Sequence, residues 1–407
     1  MKKTNRLLIP LINLCSLIRG LFYRRNTKNV LFGSWGGTKF ADNSRYLYQF
    51  LFQNKDKLKL NKVIWVTRDE TINKTLNNLG YESYLIGTKE SKIWHLKCGI
   101  HIICNMSFGF GDFDCDLDSR YSCGAKKIQL WHGVGIKSIG RASNQYRQPK
   151  NRLLHNRIVD TIFSLGCWKR EFFLCTSDLN LQINYQTNSC IKKRMFVTSY
   201  PRNCECIELL ENEKKIISSI KSFKGAILYL PTFRKDLNSF FHPLKDCEFL
   251  KFIKEENLAF IEKPHSASKY TLDITDPNII YLRSSFDINV LYDHVTCVIT
   301  DYSSSAFDSI HKKVPMISFV PDLNKFKYSD VGLLMDIENL FGSLIAKDVN
   351  ALMERIRHVI ECRFFSEDVN EIYRKVDSLF YDGRQKNMME IWKDILSAIN
   401  KGNNFNN

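Results

Sequence analysis

Ten short runs of branched and aromatic residues recur along the chain, and segments with helical spacing separate several of them, a pattern that leaves few folds open. In the first half the runs are Asn29 to Ser34, Lys62 to Thr67, Tyr81 to Ile86, Ile100 to Cys104 and Ile128 to Trp131. In the second half they are Ala226 to Leu230, Leu258 to Glu262, Ile279 to Leu282, Val295 to Thr300 and Val314 to Phe319. Such runs predict strands buried on both faces, and therefore parallel sheets covered by helices on either side. Asp42-Asn43-Ser44 ahead of Tyr46, Leu47, Phe50 and Leu51 reads as a polar cap followed by a periodic face. Further helices are expected near Leu244 to Glu256, Ser304 to His311, Ala351 to Cys362 and Lys386 to Asn400. At 407 residues the chain exceeds one ordinary core. The expectation is an α/β protein with two doubly wound domains facing a cleft. Its divisions are a segment over residues 1–28, domains over 29–200 and 201–385, and a final helix with a polar tail over 386–407. Tyr200-Pro201-Arg202-Asn203 supplies the turn at the boundary.

Charge narrows the partners. Lys and Arg together number 59 against 43 Asp and Glu, a net charge of +16, which suits a polyanion, an acidic membrane surface or a phosphorylated substrate. No nucleic acid is expected among the partners. The excess begins at the N-terminus, where no acidic residue precedes Asp42 while Lys2, Lys3, Arg6, Arg19, Arg24, Arg25, Lys28 and Lys39 are all basic. Between them the mostly apolar run Leu7 to Ile18 falls short of the ~20 residues needed to span ~30 Å of hydrocarbon. No small-residue cleavage site follows it, which argues against secretion. The segment is expected to lie flat on an anionic inner leaflet, placing the protein peripherally on the cytoplasmic face of the membrane. A first helix packed on the body is the plainer alternative. Thirteen cysteines are scattered, and the nearest pair, Cys204 and Cys206, matches neither a zinc knuckle nor a redox Cys-x-x-Cys. They read as reduced thiols.

Four polar clusters fall where strands should end, the edge at which open parallel sheets bind ligands. Thr300-Asp301-Tyr302-Ser303-Ser304 closes one strand and opens a helix, so backbone N–H groups and hydroxyls converge where a phosphate could sit. A helix cap alone would account for the same residues. Pro231-Thr232-Phe233-Arg234 offers a hydroxyl and a guanidinium able to grip phosphate with two hydrogen bonds. Lys263-Pro264-His265 presents a cation and an imidazole on a turn stiffened by proline. His132, in Trp131-His132-Gly133-Val134-Gly135-Ile136-Lys137, can accept the proton of an attacking hydroxyl, and the glycines beside it admit substrate close to the backbone. No carboxylate cluster demands a metal and no cofactor is expected, although Asp301 and Asp308 leave a divalent ion open.

Five ordered motifs carry a family resemblance: His132-Gly-x-x-x-Lys137-x-x-Gly140, Tyr200-Pro201-Arg202-Asn203, Tyr229-x-Pro231-Thr232-Phe233-Arg234, Lys263-x-His265 and Thr300-Asp301-Tyr302-Ser303-Ser304. Together with Ala41-Asp42-Asn43-Ser44-Arg45-Tyr46-Leu47 they resemble the CDP-glycerol glycerophosphotransferases, the teichoic acid and capsule primases and polymerases. The resemblance implies a GT-B-like fold of two Rossmann-like domains, the second holding CDP-glycerol or another CDP-alditol. It implies catalytic roles for His132, as the base on the acceptor hydroxyl, and for His265, near the donor phosphates. Lys137, Thr232, Arg234, Lys263, Thr300, Asp301, Ser303 and Ser304 would bind the CDP moiety and its phosphates. The acceptor would be a lipid-linked or polymeric saccharide, and CMP the leaving product. Glycerol, ribitol or another alditol stays open as the transferred unit. Two other classes stay open too: a GT-B enzyme transferring a sugar from a nucleotide-sugar donor, and a non-catalytic module binding polyanions at the membrane.

Overall fold

The computed structural model describes residues 15, 18–20, 22–105, 115–139, 142, 171–188, 192–204, 208–232, 241–264, 272, 274–327 and 332–403. Two compact units partition the chain: Met1–His132, Arg147–Glu208 and Gln385–Asn407 form the first, Gly133–Tyr146 and Leu209–Arg384 the second.

The first unit is built on seven parallel strands: β1 (Asn26–Phe32), β2 (Lys62–Thr67), β3 (Ser83–Leu85), β4 (Cys98–Ile103), β5 (Lys126–Gln129), β6 (Glu171–Cys175) and β7 (Met195–Val197). Their order is β3-β2-β1-β4-β5-β6-β7. Leu31, Ile64, Val66, Cys98 and Ile103 pack into one buried cluster with Cys115 and Leu117, which is why these runs are apolar without alternation. The second unit carries β8 (Gly225–Leu230), β9 (Leu258–Glu262), β10 (Ile279–Tyr281), β11 (Cys297–Thr300), β12 (Met316–Phe319) and β13 (Ile345–Ala346), also parallel, in the order β10-β9-β8-β11-β12-β13. In each sheet the winding direction reverses once, between β1 and β4 and between β8 and β11. Such reversals open a crevice beyond the carboxyl ends of the two strands concerned.

Four helices are central to the two units: α1 (Asp42–Gln53), α2 (Ser305–His311), α3 (Glu367–Tyr381) and α4 (Met388–Asn403). The expected polar cap of α1 is not formed: Ala41 occupies the cap position, and Asp42 lies inside the helix with a φ of 65°. Its carboxylate turns instead to Trp35 in the loop beyond β1 and to Arg202 beyond β7. Helix α4 closes the first unit. Thr198 Oγ1 donates to Asp394 Oδ2 at 2.6 Å, Lys386 N to Ser199 Oγ at 3.0 Å and Gln385 Nε2 to Asn203 O at 3.1 Å.

Two N-terminal cations expected at a membrane are committed to this unit. Arg25 donates to the carbonyls of His95, Cys98, Tyr121 and Cys123 at 2.5 to 2.9 Å, and burial lowers its pKa to about 10. Arg19 lies over the Tyr121 ring at 5.2 Å. Most of the apolar run 7–18 lies outside the described residues.

Beside Arg25, His95 and His101 are fully buried, ring against ring at 5.9 Å. His95 Nδ1 lies 2.7 Å from Ser91 O and its Nε2 accepts from Asp118 N at 3.0 Å, so the neutral ring with its proton on Nδ1 satisfies both bonds. Burial lowers the pKa of both imidazoles, that of His101 further still with Arg25 and His95 beside it. The unfolded chain therefore takes up these two protons near pH 6.5 while the folded chain resists them, so stability is complete above that pH and falls as pH drops below it. The slope approaches about 1.4 kcal/mol per pH unit for each histidine. The melting temperature should fall steadily from pH 7 to 5, and less steeply in His101→Gln; a flat profile over that range contradicts the assignment.

Candidate functional site

In the first unit the loops after β1, β4 and β5 meet at the reversal of the sheet. His132, three residues past Gln129 at the end of β5, is half-buried, with its ring 4.2 Å from that of Trp131 and 5.4 Å from that of Trp35. Its Nδ1 lies 3.2 Å from Cys104 O. A carbonyl can only accept, so Nδ1 carries a proton, and in the neutral ring the lone pair then sits on Nε2, the tautomer a general base requires. The Cys104 end of β4 is itself fixed: buried Asp116 accepts from Cys104 N at 3.0 Å and Asn105 N at 2.9 Å through Oδ2, and from Gly36 N at 2.7 Å through Oδ1. Gly33 is required here, because a Cβ at that position would stand 2.2 Å from Asp116 O.

The main chain of His132 is gripped from two other elements. Arg202 Nη1 donates to His132 O at 2.8 Å and to Asp42 Oδ1 at 2.7 Å, a pair whose side chains are only 3% and 6% exposed. Asn43 Nδ2 donates to Trp131 O at 2.8 Å, while Asn43 Oδ1 accepts from Arg202 N at 3.1 Å. Asp42 Oδ2 also accepts from Trp35 Nε1 at 3.2 Å. Trp35, Asp42 and Trp131 all hold left-handed φ values, 47°, 65° and 60°, conformations that cost of order 1–3 kcal/mol each and persist only where neighbours over-determine them. Burial, with Asp42 and Asp116 nearby, pushes the Cys104 thiol well above its usual pKa, so it stays protonated and is no nucleophile.

The second unit brings the ends of β9, β8 and β11 side by side. Asp301, buried just beyond β11, accepts from Thr232 N at 3.0 and 3.1 Å through its two oxygens and from Tyr302 N at 2.6 Å, tying the ends of β8 and β11 together at the reversal. Thr300 Oγ1 donates to Leu230 O at 2.7 Å, bracing the same junction. Half-buried Ser303 and Ser304 come next, with Ser303 Oγ 3.1 Å from Ser305 Oγ at the start of α2, a helix of about two turns. Tyr302 anchors the turn from behind, its ring stacked on Phe326 at 3.7 Å and its hydroxyl donating to Asp322 Oδ1 at 2.9 Å. Lys263 extends β9 by donating its N–H to Tyr229 O at 3.2 Å, and its side chain is half-buried. Beneath the turn, Tyr381 Oη of α3 donates to Asp308 Oδ1 of α2 at 2.9 Å.

Thr232, Lys263, Thr300, Asp301, Ser303 and Ser304 thus share one sheet edge. Lys137 belongs to the second unit with the segment Gly133–Tyr146, where its backbone bridges Leu333. Arg234 and His265 lie outside the described residues. Nothing in the sequence singles out Trp35 or Asp116, while Asp42 and Asn43 stand out there as a helix cap and motif members and Arg202 as a boundary and motif residue. Among the described residues, no group of three or more His, Cys, Asp or Glu side chains is arranged to hold a metal ion.

Two parallel α/β units, each with its polar cluster at a reversal of the sheet, define a protein of GT-B-like fold. The wall teichoic acid polymerase TagF shares it, with a TM-score of 0.70 over 96% of this chain and 94% of that one at 17% identity. The chain belongs to the CDP-glycerol:poly(glycerophosphate) glycerophosphotransferase family, whose model matches residues 17–390, and so to the transferases. It is 25% identical over 375 residues to the teichoic acid poly(glycerol phosphate) polymerase of Bacillus spizizenii, covering 87% of this chain and 89% of that protein. It is 23% identical over 373 residues to the teichoic acid glycerol-phosphate transferase of Staphylococcus aureus, covering 88% of each.

Proposed function

We propose that the chain transfers glycerol phosphate from CDP-glycerol to a hydroxyl of a glycerol-phosphate polymer or its lipid-linked primer in teichoic acid synthesis, releasing CMP. His132 in the base tautomer, in a chain of this family, is the observation that carries the reading. The acceptor oxygen forms a bond to the phosphorus of the glycerol phosphate. The bond from that phosphorus to the bridging oxygen breaks, CMP leaves with that oxygen, and the acceptor proton passes to His132 Nε2. Lys263, Ser303 and Ser304 offset the charge gathering on the departing phosphate, with Asp301, Thr232 and Thr300 holding their turn in shape. Arg234, His265 and Lys137 are assigned to the same phosphates, following the family motifs. CMP release should occur with CDP-glycerol and a glycerol-phosphate primer. Release with CDP-ribitol alone would reassign the donor, and transfer of a sugar from a nucleotide sugar would overturn the reading.

The protein works, in this proposal, on the anionic cytoplasmic leaflet. Ile18 and Phe22 near the N-terminus are 45% and 81% exposed, apolar side chains suited to an interface. Among the described residues no helix is long and apolar enough to cross a membrane. Phe22→Ser should weaken sedimentation with phosphatidylglycerol vesicles several-fold, and binding that is unchanged by it and by salt would remove the interfacial role.

A further inference from the structure

We propose that Arg202 and Asp42 are positioning residues that set His132 for proton abstraction, an inference that rests on the reading of His132 as the base. Four observations converge. The Arg202 guanidinium bridges the Asp42 carboxylate and the His132 carbonyl through one nitrogen, at 2.7 and 2.8 Å. Asn43, next in sequence to Asp42, takes the preceding carbonyl, that of Trp131, at 2.8 Å and accepts from the Arg202 backbone at 3.1 Å. Trp131 is held in the left-handed region at a φ of 60° and Gly133 has a φ of 147°, so the peptide units flanking His132 depart from the extended run of β5. Asp42 offsets its own left-handed φ of 65° with three acceptor contacts, to Trp35 Nε1, Asn43 N and Arg202 Nη1.

The consequence is geometric. The imidazole Nδ1 meets Cys104 O only while the His132 backbone keeps this turn, and Arg202 is the side chain that clamps the His132 carbonyl. Arginine suits the task because its rigid planar guanidinium holds the two N–H bonds of Nη1 in fixed directions, one for the carboxylate and one for the carbonyl, whereas lysine offers a point charge on a flexible stem. Neither side chain needs to touch substrate: both are almost wholly buried.

A double-mutant cycle tests the proposal, with CMP release from CDP-glycerol onto a glycerol-phosphate primer as the readout. Arg202→Lys and the nearly isosteric Asp42→Asn should each lower kcat by about 10- to 100-fold while the KM for CDP-glycerol stays within about twofold. In a His132→Ala background either change should slow the residual rate by no more than about twofold, since the base they position is gone. Equal slowing in both backgrounds would show that they act independently of His132 and would overturn the proposal. Full activity of His132→Ala would instead sink the base assignment itself, a failure distinguishable from the first. Where Arg202→Lys melts early, the Asp42→Asn cycle decides.

Discussion

Replacing His132 with alanine should lower kcat for glycerol phosphate transfer by roughly 10³-fold, within the 10² to 10⁴ that a positioned general base contributes, or about 3 to 5 kcal/mol of barrier. The size reflects the tautomer. Cys104 O fixes a proton on Nδ1, so Nε2 is the nitrogen that would take the acceptor proton in the proposed reaction, and no second imidazole among the described residues shares that loop cluster. The thiol of Cys104, pushed well up by burial, cannot substitute at neutral pH. Donor affinity should change little, because, Lys137 apart, the groups assigned to the phosphates follow β8, β9 and β11. His132→Gln should be about as slow as alanine, since an amide fills the space without accepting a proton. A loss smaller than about tenfold in single-turnover CMP release would show that the hydroxyl loses its proton by another route.

Asp301→Ala should be the most damaging change in the second unit, for reasons of architecture more than of contact with phosphate. The carboxylate is 4% exposed and accepts from the N–H groups of Thr232 and Tyr302. Removing it strands two buried donors at about 1–3 kcal/mol each, so about 2 to 6 kcal/mol in total. The melting temperature should drop by on the order of 10 °C. The loosened junction of β8 and β11 should also raise the KM for CDP-glycerol by about tenfold or more, as Ser303 and Ser304 lose their fixed geometry. Asp301→Asn, which keeps one acceptor oxygen, should fall between wild type and alanine on both readouts. A KM left unchanged in a folded Asp301→Ala protein would dissociate the turn from donor binding.

The parallel sheets are legible in the sequence because their central strands are buried on both faces. Lys62 to Thr67, Ala226 to Leu230 and Leu258 to Glu262 lie within a residue of the observed strands. β7 and β13 escape such a reading, being three and two residues long at sheet edges, too short for a period to register. β6 is longer, but Glu171-Phe172-Phe173-Leu174-Cys175 is too brief an apolar run to tell strand from helix. Of the site, residues just past strand ends can be found, since the carboxyl edge is where a parallel sheet binds. The clamp on His132 cannot. Asp42 looks like a helix cap in sequence, and Arg202 looks like a boundary residue, because nothing local shows that residues 160 positions apart form a buried pair. Arg45, in the same motif as Asp42, turns to Glu208 O at 2.9 Å and serves the fold instead.

The chain passes between its two units after His132, Tyr146, Glu208 and Arg384, and the first unit is completed only by the segment that begins at Gln385. Its closing bonds, from Gln385 to Asn203, Lys386 to Ser199 and Thr198 to Asp394, cannot form until residues 385–394 have left the ribosome. The half that is synthesised first is therefore finished last. Nascent chains must hold the first unit without these bonds while the whole second unit emerges, a window in which chaperone binding is to be expected, and truncation before Gln385 would leave the unit bearing His132 without them.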